Sequence, residues 1–290
     1  MTAPLEQRSR TDLAGRYRRT GFGLALEIDQ RISLPGLGHS PGIALPQPAS
    51  LVRLDTGELD ERWGAITTTP VRARELRFGE TLLLSVDFAE PAGYLLWTRH
   101  FGRVLISPDG RELLCEPHPD NDDWASILTA QALPLAATIR GLEVFHASGV
   151  VLDGQALLIA GPPGAGKSSL AAALLRAGAQ LLSDDAVALR LDDGALTAYA
   201  GSVVLQLRVA EDERLSAQAR AAHGQIASFA DGKQRYVSDA VPDPAPLGAL
   251  LLLECSPAEP ASSRAYATPR RGARAACQGP SGSARPRRAQ

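Results

Sequence analysis

The sequence has little cysteine and few aromatic residues, and it contains no long hydrophobic run. Its three cysteines, Cys115, Cys255 and Cys277, are odd in number and far apart, so they indicate neither a disulfide framework nor a zinc site. No stretch approaches the roughly 18 apolar residues of a membrane span. The first 20 residues also lack the apolar centre of a secretion signal. We therefore expect a cytoplasmic protein with reduced thiols and no membrane partner.

The acidic and basic residues are unevenly distributed along the chain. Residues 261–290 hold seven of the 30 basic residues and no acidic one, which leaves 23 basic against 32 acidic residues in the rest. An acidic body argues against a nucleic-acid-binding surface, and we expect no nucleic-acid partner.

The residue pattern divides the chain into four parts. Residues 1–20 are expected to form a flexible N-terminus. Short apolar runs between turn signals predict a small, mostly antiparallel β-rich domain over 21–120. A second folded domain is expected over 121–255. Residues 256–290 are rich in Ala, Arg, Pro, Ser and Gly without periodicity, which predicts a disordered tail because such a segment buries too little apolar surface.

Three segments of the second domain give more specific expectations. Residues 124–139 suit a helix that is capped by Asp122-Asp123 and kinked or broken near Pro134. Residues 210–235 have a helical composition. The continuous apolar run over 247–253 predicts a buried strand.

The most informative segment fits the phosphate-binding pattern G-x-x-x-x-G-K-[ST]. It consists of Gly161, Pro162, Pro163, Gly164, Ala165, Gly166, Lys167 and Ser168. A predicted strand over 156–160 precedes it, and a predicted helix over 169–176 follows it, as such a loop requires. In this pattern backbone N–H groups surround the phosphates, the lysine reaches the β- and γ-phosphates, and the hydroxyl residue binds Mg²⁺. We expect these eight residues and Ser169 to bind ATP with Mg²⁺.

Lysine is scarce in this chain, which adds weight to the loop. Lys167 and Lys233 are the only lysines, and the other 28 basic residues are arginines. A lysine in the loop of a chain that otherwise uses arginine indicates that a compact ammonium group is required there.

Three further residues are candidates for the chemistry. Asp184 and Asp185 follow the predicted strand after the loop helix, and neighbouring side chains on a strand point in opposite directions. One carboxylate can therefore face a metal ion or the attacking group while the other caps a turn. His146 lies on the predicted strand before the loop-bearing strand. The alternatives are a solvated Asp-Asp turn and a histidine that is simply buried in the core.

The segments 145–154, 161–168 and 176–185 together resemble the catalytic domain of bacterial HPr kinase/phosphorylase and its relatives. The resemblance implies an α/β fold, with a P-loop nucleotide-binding core of the HPr kinase/PEP carboxykinase type. The core would be preceded by a small, mostly β N-terminal domain, and residues 121–255 would form the kinase-like domain.

The same resemblance implies roles for individual residues. Asp185 would accept the proton of the substrate hydroxyl, His146 would support it, and Lys167 would contact the phosphates. Ser168 and Asp184 would hold Mg²⁺. The implied activity is transfer of the γ-phosphate of ATP to a serine of a small protein or peptide. Gln206–Ala210 matches only loosely the family's signature segment with its metal-binding Glu, so the reverse phosphorylase activity is not implied.

Two other functions stay open at this point. One is a catalytically impaired ATP-binding regulatory module, and the other is a small-molecule kinase related to PEP carboxykinase. The sequence also leaves the oligomeric state open, including a homo-oligomer.

Overall fold

The computed structural model describes residues 15–39, 44–66, 68–230, 232–238, 240–254 and 262–267. Within these ranges no helix is long and apolar enough to cross a membrane. The architecture is sheet-rich with short helices. Its membership of a particular nucleotide-binding fold family remains a prediction.

The N-terminal part folds into one sheet with the strand order β1-β2-β3-β8-β7-β6-β5-β4. The strands are β1 (Arg16–Gly21), β2 (Leu24–Asp29), β3 (Leu45–Arg53), β4 (Val71–Phe78), β5 (Thr81–Ala89), β6 (Gly93–Thr98), β7 (Gly102–Ile106) and β8 (Glu112–Pro117). Strand β3 runs parallel to both neighbours, and the other pairs are antiparallel. Helix α1 (Glu58–Gly64) connects β3 to β4.

A short helical layer covers the core-facing side of this sheet. It consists of a π-helical turn, Leu128–Ala132, followed by helix α2, Leu133–Ile139. Pro134 lies in the first turn of α2, directly after the π-helical turn, so the irregularity expected near Pro134 is a change of helix type rather than a break. The predicted cap is not formed by Asp123, because its carboxylate pairs with the Arg235 guanidinium instead, at 2.5 Å.

The remaining described residues form two further sheets and three helices, the first of which follows the loop Gly161–Ser168. They are β9 (Glu143–Phe145), β10 (Ala147–Leu152), β11 (Gln155–Ala160), α3 (Lys167–Arg176), β12 (Gln180–Ser183), β13 (Val187–Asp192), β14 (Ala195–Tyr199), β15 (Val204–Arg208), α4 (Val209–Asp212), α5 (Ala217–Ala221), β16 (Gln225–Ala230), β17 (Lys233–Val237), β18 (Ala245–Glu254) and β19 (Ser262–Ala267). The larger sheet has the order β12-β10-β11-β18-β14-β13-β9, and β19 pairs with β18. The smaller sheet has the order β15-β17-β16.

Two chain segments bend side by side in the larger sheet. The first passes from β9 through a bend at His146 into β10, and the second passes from β12 through Asp184-Asp185 into β13. The segments stay paired on both sides of the bend, with Phe145 opposite Val187 and Gly149 opposite Ser183. This pairing places the bend at His146 beside the bend at Asp184-Asp185. We call the two together the sheet corner.

The local predictions around the loop are confirmed. The loop-bearing strand is β11, the following helix is α3, and the apolar run over 247–253 lies within β18. Ala171, Ala172 and other apolar residues of α3 pack against Val150 and Ile159 of the sheet beneath. The loop therefore stands between a buried strand and a helix that is held firmly on the sheet.

Three expectations from the sequence were wrong over part of their range. Residues 16–20 of the expected flexible N-terminus belong to β1, whose backbone pairs with β2. Residues 262–267 of the expected disordered tail form β19, because backbone pairing with β18 needs no large side chains. The segment 210–235 holds only two short helices and then the β16–β17 hairpin, which is stabilised by pairing with β15. The other tail residues, 256–261 and 268–290, lie outside the described residues, as do residues 1–14.

Candidate functional site

The loop Gly161–Ser168 has the backbone shape that its glycines permit. Gly166 is the N-cap of α3 with a φ of 92°, which an L side chain rarely adopts. At Gly161 a Cβ atom would stand 2.8 Å from the carbonyl oxygen of Leu253, so the loop needs glycine there for space. A Cβ atom at Gly166 would meet nothing within 4 Å. The space above the first turn of α3 is therefore open at Gly166, and the first N–H groups of a helix have no acceptor inside it.

The Lys167 side chain lies back over its own loop. Its Nζ donates to the carbonyl oxygens of Gly161 at 3.0 Å and Pro162 at 3.3 Å. Neutral carbonyl groups are weaker partners for an ammonium group than phosphate oxygens are. The ammonium group is thus held where an anion in the loop would be its better partner.

Asp184 is a buried carboxylate that joins three elements. Its Oδ1 accepts from the Ser148 hydroxyl at 2.6 Å and from the Ser168 hydroxyl at 3.0 Å, and its Oδ2 accepts from the Gln206 N–H at 3.1 Å. Burial raises the pKa of Asp184 above its ordinary value, and the three hydrogen bonds only partly oppose this. Its charged form would be favoured by a cation at the same place.

Asp185, the next residue, is partly exposed. Its side chain is 42% accessible, and its Oδ1 lies 3.4 Å from Nδ1 of His146. The same Nδ1 is 2.8 Å from the Asp185 carbonyl oxygen, which indicates that the proton resides on Nδ1. The two neighbouring aspartates thus divide into a buried group next to the loop and an exposed group next to a histidine.

The backbone at Asp185 has a φ of 79°, in the left-handed region. Asp153 and Asp193 also have positive φ, but each precedes a glycine in a tight hairpin turn. Asp185 precedes Ala186 at the sheet corner, where no such turn exists. A non-glycine residue in this region costs on the order of 1 kcal/mol or more, and such residues concentrate at functional sites.

The structure brings the predicted residues together in two groups. The loop residues, Ser168 and Asp184 form one group through the Ser168–Asp184 hydrogen bond, and His146 with Asp185 forms the other. The two groups meet at the sheet corner because Asp184 and Asp185 are neighbours in the chain. Ser169 lies in the first turn of α3, and Pro162, Pro163 and Ala165 contribute loop backbone.

Sequence reasoning missed three contributors to this site. They are the Ser148 hydroxyl, the Gln206 N–H and the Arg208 guanidinium, whose Nη2 would lie 3.8 Å from a Cβ atom at Gly164. Ser148 lies within the segment 145–154, two residues after His146. Gln206 and Arg208 lie on β15, within the segment Gln206–Ala210, whose loose match to a signature segment is the one sequence signal for this strand.

His223 packs beneath the C-terminal end of α3. It is 1% exposed, its Nε2 lies 3.4 Å from Nη1 of Arg176, and its ring meets Tyr236 edge to face. No hydrogen-bond partner for its Nδ1 is found in the described part of the chain. Burial lowers the pKa of His223 below 6.5, and the Arg176 guanidinium adds to the lowering.

We predict that His223 makes the fold sensitive to acid. The unfolded chain binds a proton near pH 6.5 and the folded chain resists it, so stability is lost as pH falls from that value towards the folded pKa. As the pH falls, the free energy of unfolding of the wild type should decrease relative to that of His223→Phe. The full decrease is about 1.4 kcal/mol for each unit by which folding lowers the pKa of His223. Urea unfolding at about pH 7.5 and about pH 5 measures this. The exposed His100, changed to Phe, is the control, and parallel pH curves for wild type and His223→Phe would contradict the prediction.

The chain shows only limited similarity to known proteins. No family model and no curated protein matches the chain. Over 19% of its length the chain is similar to a solved structure, the Hpr(Ser) kinase/phosphatase from Coxiella burnetii, with 36% sequence identity. The match spans about a third of that protein, 34% of its chain, with a TM-score of 0.18. This similarity assigns neither a fold nor an activity to the whole chain.

Proposed function

We propose that this chain is an ATP-dependent serine kinase that transfers the γ-phosphate to a serine hydroxyl of a small protein or peptide. One observation carries the proposal. Buried Asp184 accepts a hydrogen bond from Ser168 of the phosphate loop, while adjacent Asp185 holds an exposed carboxylate beside His146. A phosphate site and a solvent-accessible proton acceptor therefore adjoin at one corner. The cytoplasmic location expected from the sequence is part of the proposal.

The residues at the loop fit a nucleotide with Mg²⁺. The open space at Gly166, the N–H groups in the first turn of α3 and the ammonium group of Lys167 suit the phosphates. The Ser168 hydroxyl and the Asp184 carboxylate would supply the kind of oxygen ligands that Mg²⁺ prefers, and phosphate oxygens and water complete such sites. When bound, Mg²⁺ offsets the negative charge that develops on the phosphate oxygens during transfer.

The transfer needs little beyond positioning and a proton acceptor. The serine Oγ of the acceptor forms a bond to the γ-phosphorus, and the bond from that phosphorus to the β–γ bridging oxygen breaks as ADP leaves. The hydroxyl proton passes to the Asp185 carboxylate. His146 positions Asp185 through its Nδ1, and Lys167 exchanges its loop carbonyls for phosphate oxygens.

Product analysis with a panel of acceptors tests this proposal. The full chain is incubated with γ-labelled ATP, Mg²⁺ and one of three acceptors: serine peptides, the same peptides with alanine for serine, or small alcohols. We expect label on the serine peptides alone. ATP binding without any transfer would instead indicate a regulatory module, and label on small alcohols alone would indicate a small-molecule kinase.

A further inference from the structure

A cavity of about 400 Å³ opens beside the sheet corner, and His146 and Asp185 are among the residues that line it. Its floor is the row Arg74, Val86 and Leu96, which are paired side by side across β4, β5 and β6. The helical layer forms the facing wall. The volume lies in the range of about 300–1,000 Å³ that is typical of ligand sites. We call this cavity the corner pocket.

Strand β4 borders the corner pocket and is an edge of its sheet. Every residue of β4 is exposed, although the strand carries large apolar side chains: Val71 is 65%, Leu76 is 51% and Phe78 is 81% accessible. Edge strands present unpaired N–H and C=O groups that can pair with another chain. Exposed apolar residues on such an edge make it suited to pairing with another chain.

The charge of Arg74 distinguishes the pocket side of this edge. Arg72 pairs with Asp87 and Glu75, and Arg77 pairs with Glu75. The Arg74 Nη1 reaches only the Gln131 amide oxygen, at 3.5 Å, and no carboxylate of the described residues lies within ion-pair distance of it. The pocket therefore combines apolar walls with one positive charge that lacks a carboxylate partner in the described structure.

We propose that β4 and the corner pocket together form the acceptor-binding site. The occupant is an extended peptide that pairs with the β4 edge, places an apolar side chain in the pocket and presents an acidic side chain to Arg74. Its serine then lies at Asp185. This inference rests on the proposed kinase function, and it adds the class of peptide sequence that the enzyme selects.

The dimensions of the pocket limit the position of the serine. A volume of about 400 Å³ corresponds to roughly 9 Å across, which an extended chain spans in about three residues at about 3.3 Å each. The pocket reaches from Ala73 and Arg74 of β4 to Asp185. The apolar residue therefore precedes or follows the serine by no more than about three positions. Peptide binding to a sheet edge combines main-chain pairing with pockets for particular side chains in the same way.

Serine peptides in which each flanking position is varied test this inference. Phosphorylation rates are measured with γ-labelled ATP, and binding of the same peptides, labelled with fluorescein, is measured by anisotropy without ATP. The wild type should prefer a large apolar residue near the serine and an acidic residue beside it. Arg74→Glu should lower kcat/KM for the Glu-flanked peptide by about tenfold and reverse the preference towards Lys. Arg99→Glu makes the same change at an exposed site outside the pocket, and it should alter neither kcat/KM nor the preference.

Thr138→Trp tests the pocket itself, because Thr138 is exposed on α2 and lines the cavity. It should reduce the preference for a large apolar residue by about tenfold or more, with ATP affinity unchanged. Leu191→Trp, at a residue 63% exposed on β13, controls for added bulk. Thermal unfolding confirms that each variant is folded.

The two readouts separate the outcomes. Binding with the expected preferences but no phosphorylation would support the acceptor site and contradict the kinase. Phosphorylation without flanking preference, or unchanged by Arg74→Glu and Thr138→Trp, would support the kinase and overturn the acceptor site. If no peptide is bound and none is phosphorylated, the acceptor-site proposal is overturned as well. Self-association through β4 that blocks peptide binding would assign the edge to a second copy of the chain and overturn the peptide proposal.

Discussion

Replacing Asp185 by asparagine is expected to reduce phosphotransfer by about 10²- to 10⁴-fold, the usual contribution of a positioned proton acceptor. Asparagine keeps the shape of the side chain and tolerates the left-handed backbone at this position, where φ is 79°. ATP affinity should stay within about twofold, because the exposed carboxylate acts on the acceptor and not on the loop. Single-turnover rates with a serine peptide, together with calorimetry of ATP, measure both effects.

Asp193→Asn is the matched control for this change. Asp193 also has a positive φ, 48°, but it lies in the hairpin turn between β13 and β14. Its variant should transfer phosphate at the wild-type rate. A fully active Asp185→Asn protein would show that the proton leaves the serine by another route and would remove Asp185 from the mechanism.

Replacing Lys167 by alanine is expected to remove most of the ATP affinity. The Nζ of Lys167 is already directed over the loop through the carbonyl oxygens of Gly161 and Pro162. A hydrogen bond between charged groups contributes about 2–3 kcal/mol, so the loss in affinity should be roughly 30- to 150-fold. Calorimetric titration of Mg²⁺-ATP measures this directly.

Lys233→Ala provides the control, since Lys233 is the only other lysine and is exposed on β17. Its ATP affinity should equal that of the wild type. If Lys167→Ala binds ATP as tightly as Lys233→Ala does, the nucleotide site is not the Gly161–Ser168 loop.

The sequence predicts the parts of this site that depend on local chain geometry. A strand, a glycine-rich loop and a helix follow one another in the chain, so β11, the loop and α3 are predictable from residue pattern alone. The division of Asp184 and Asp185 into a buried and a partly exposed carboxylate agrees with the expectation, but it arises at a bend with Asp185 at a φ of 79°, where the alternation of side chains along a strand does not apply.

The parts that depend on distant pairing could not be predicted in this way. Ser148 and the Gln206 N–H reach Asp184 because β10 and β15 meet it from separate positions in the chain. The corner pocket depends on how β4 lies beside α2, which no periodicity reveals. Composition also misled at 225–237, where pairing with β15 outweighs the helical tendency of the residues.

The central claim is that one site binds ATP at the loop and passes its γ-phosphate to a serine at Asp185. The most direct test is a rapid-quench single turnover of the full chain with γ-labelled ATP, Mg²⁺ and a serine peptide, followed to completion. We expect phosphoserine and ADP to form in equal amounts and at the same rate. ADP accompanied only by free phosphate, or bound ATP that persists unchanged with every peptide, would contradict the claim.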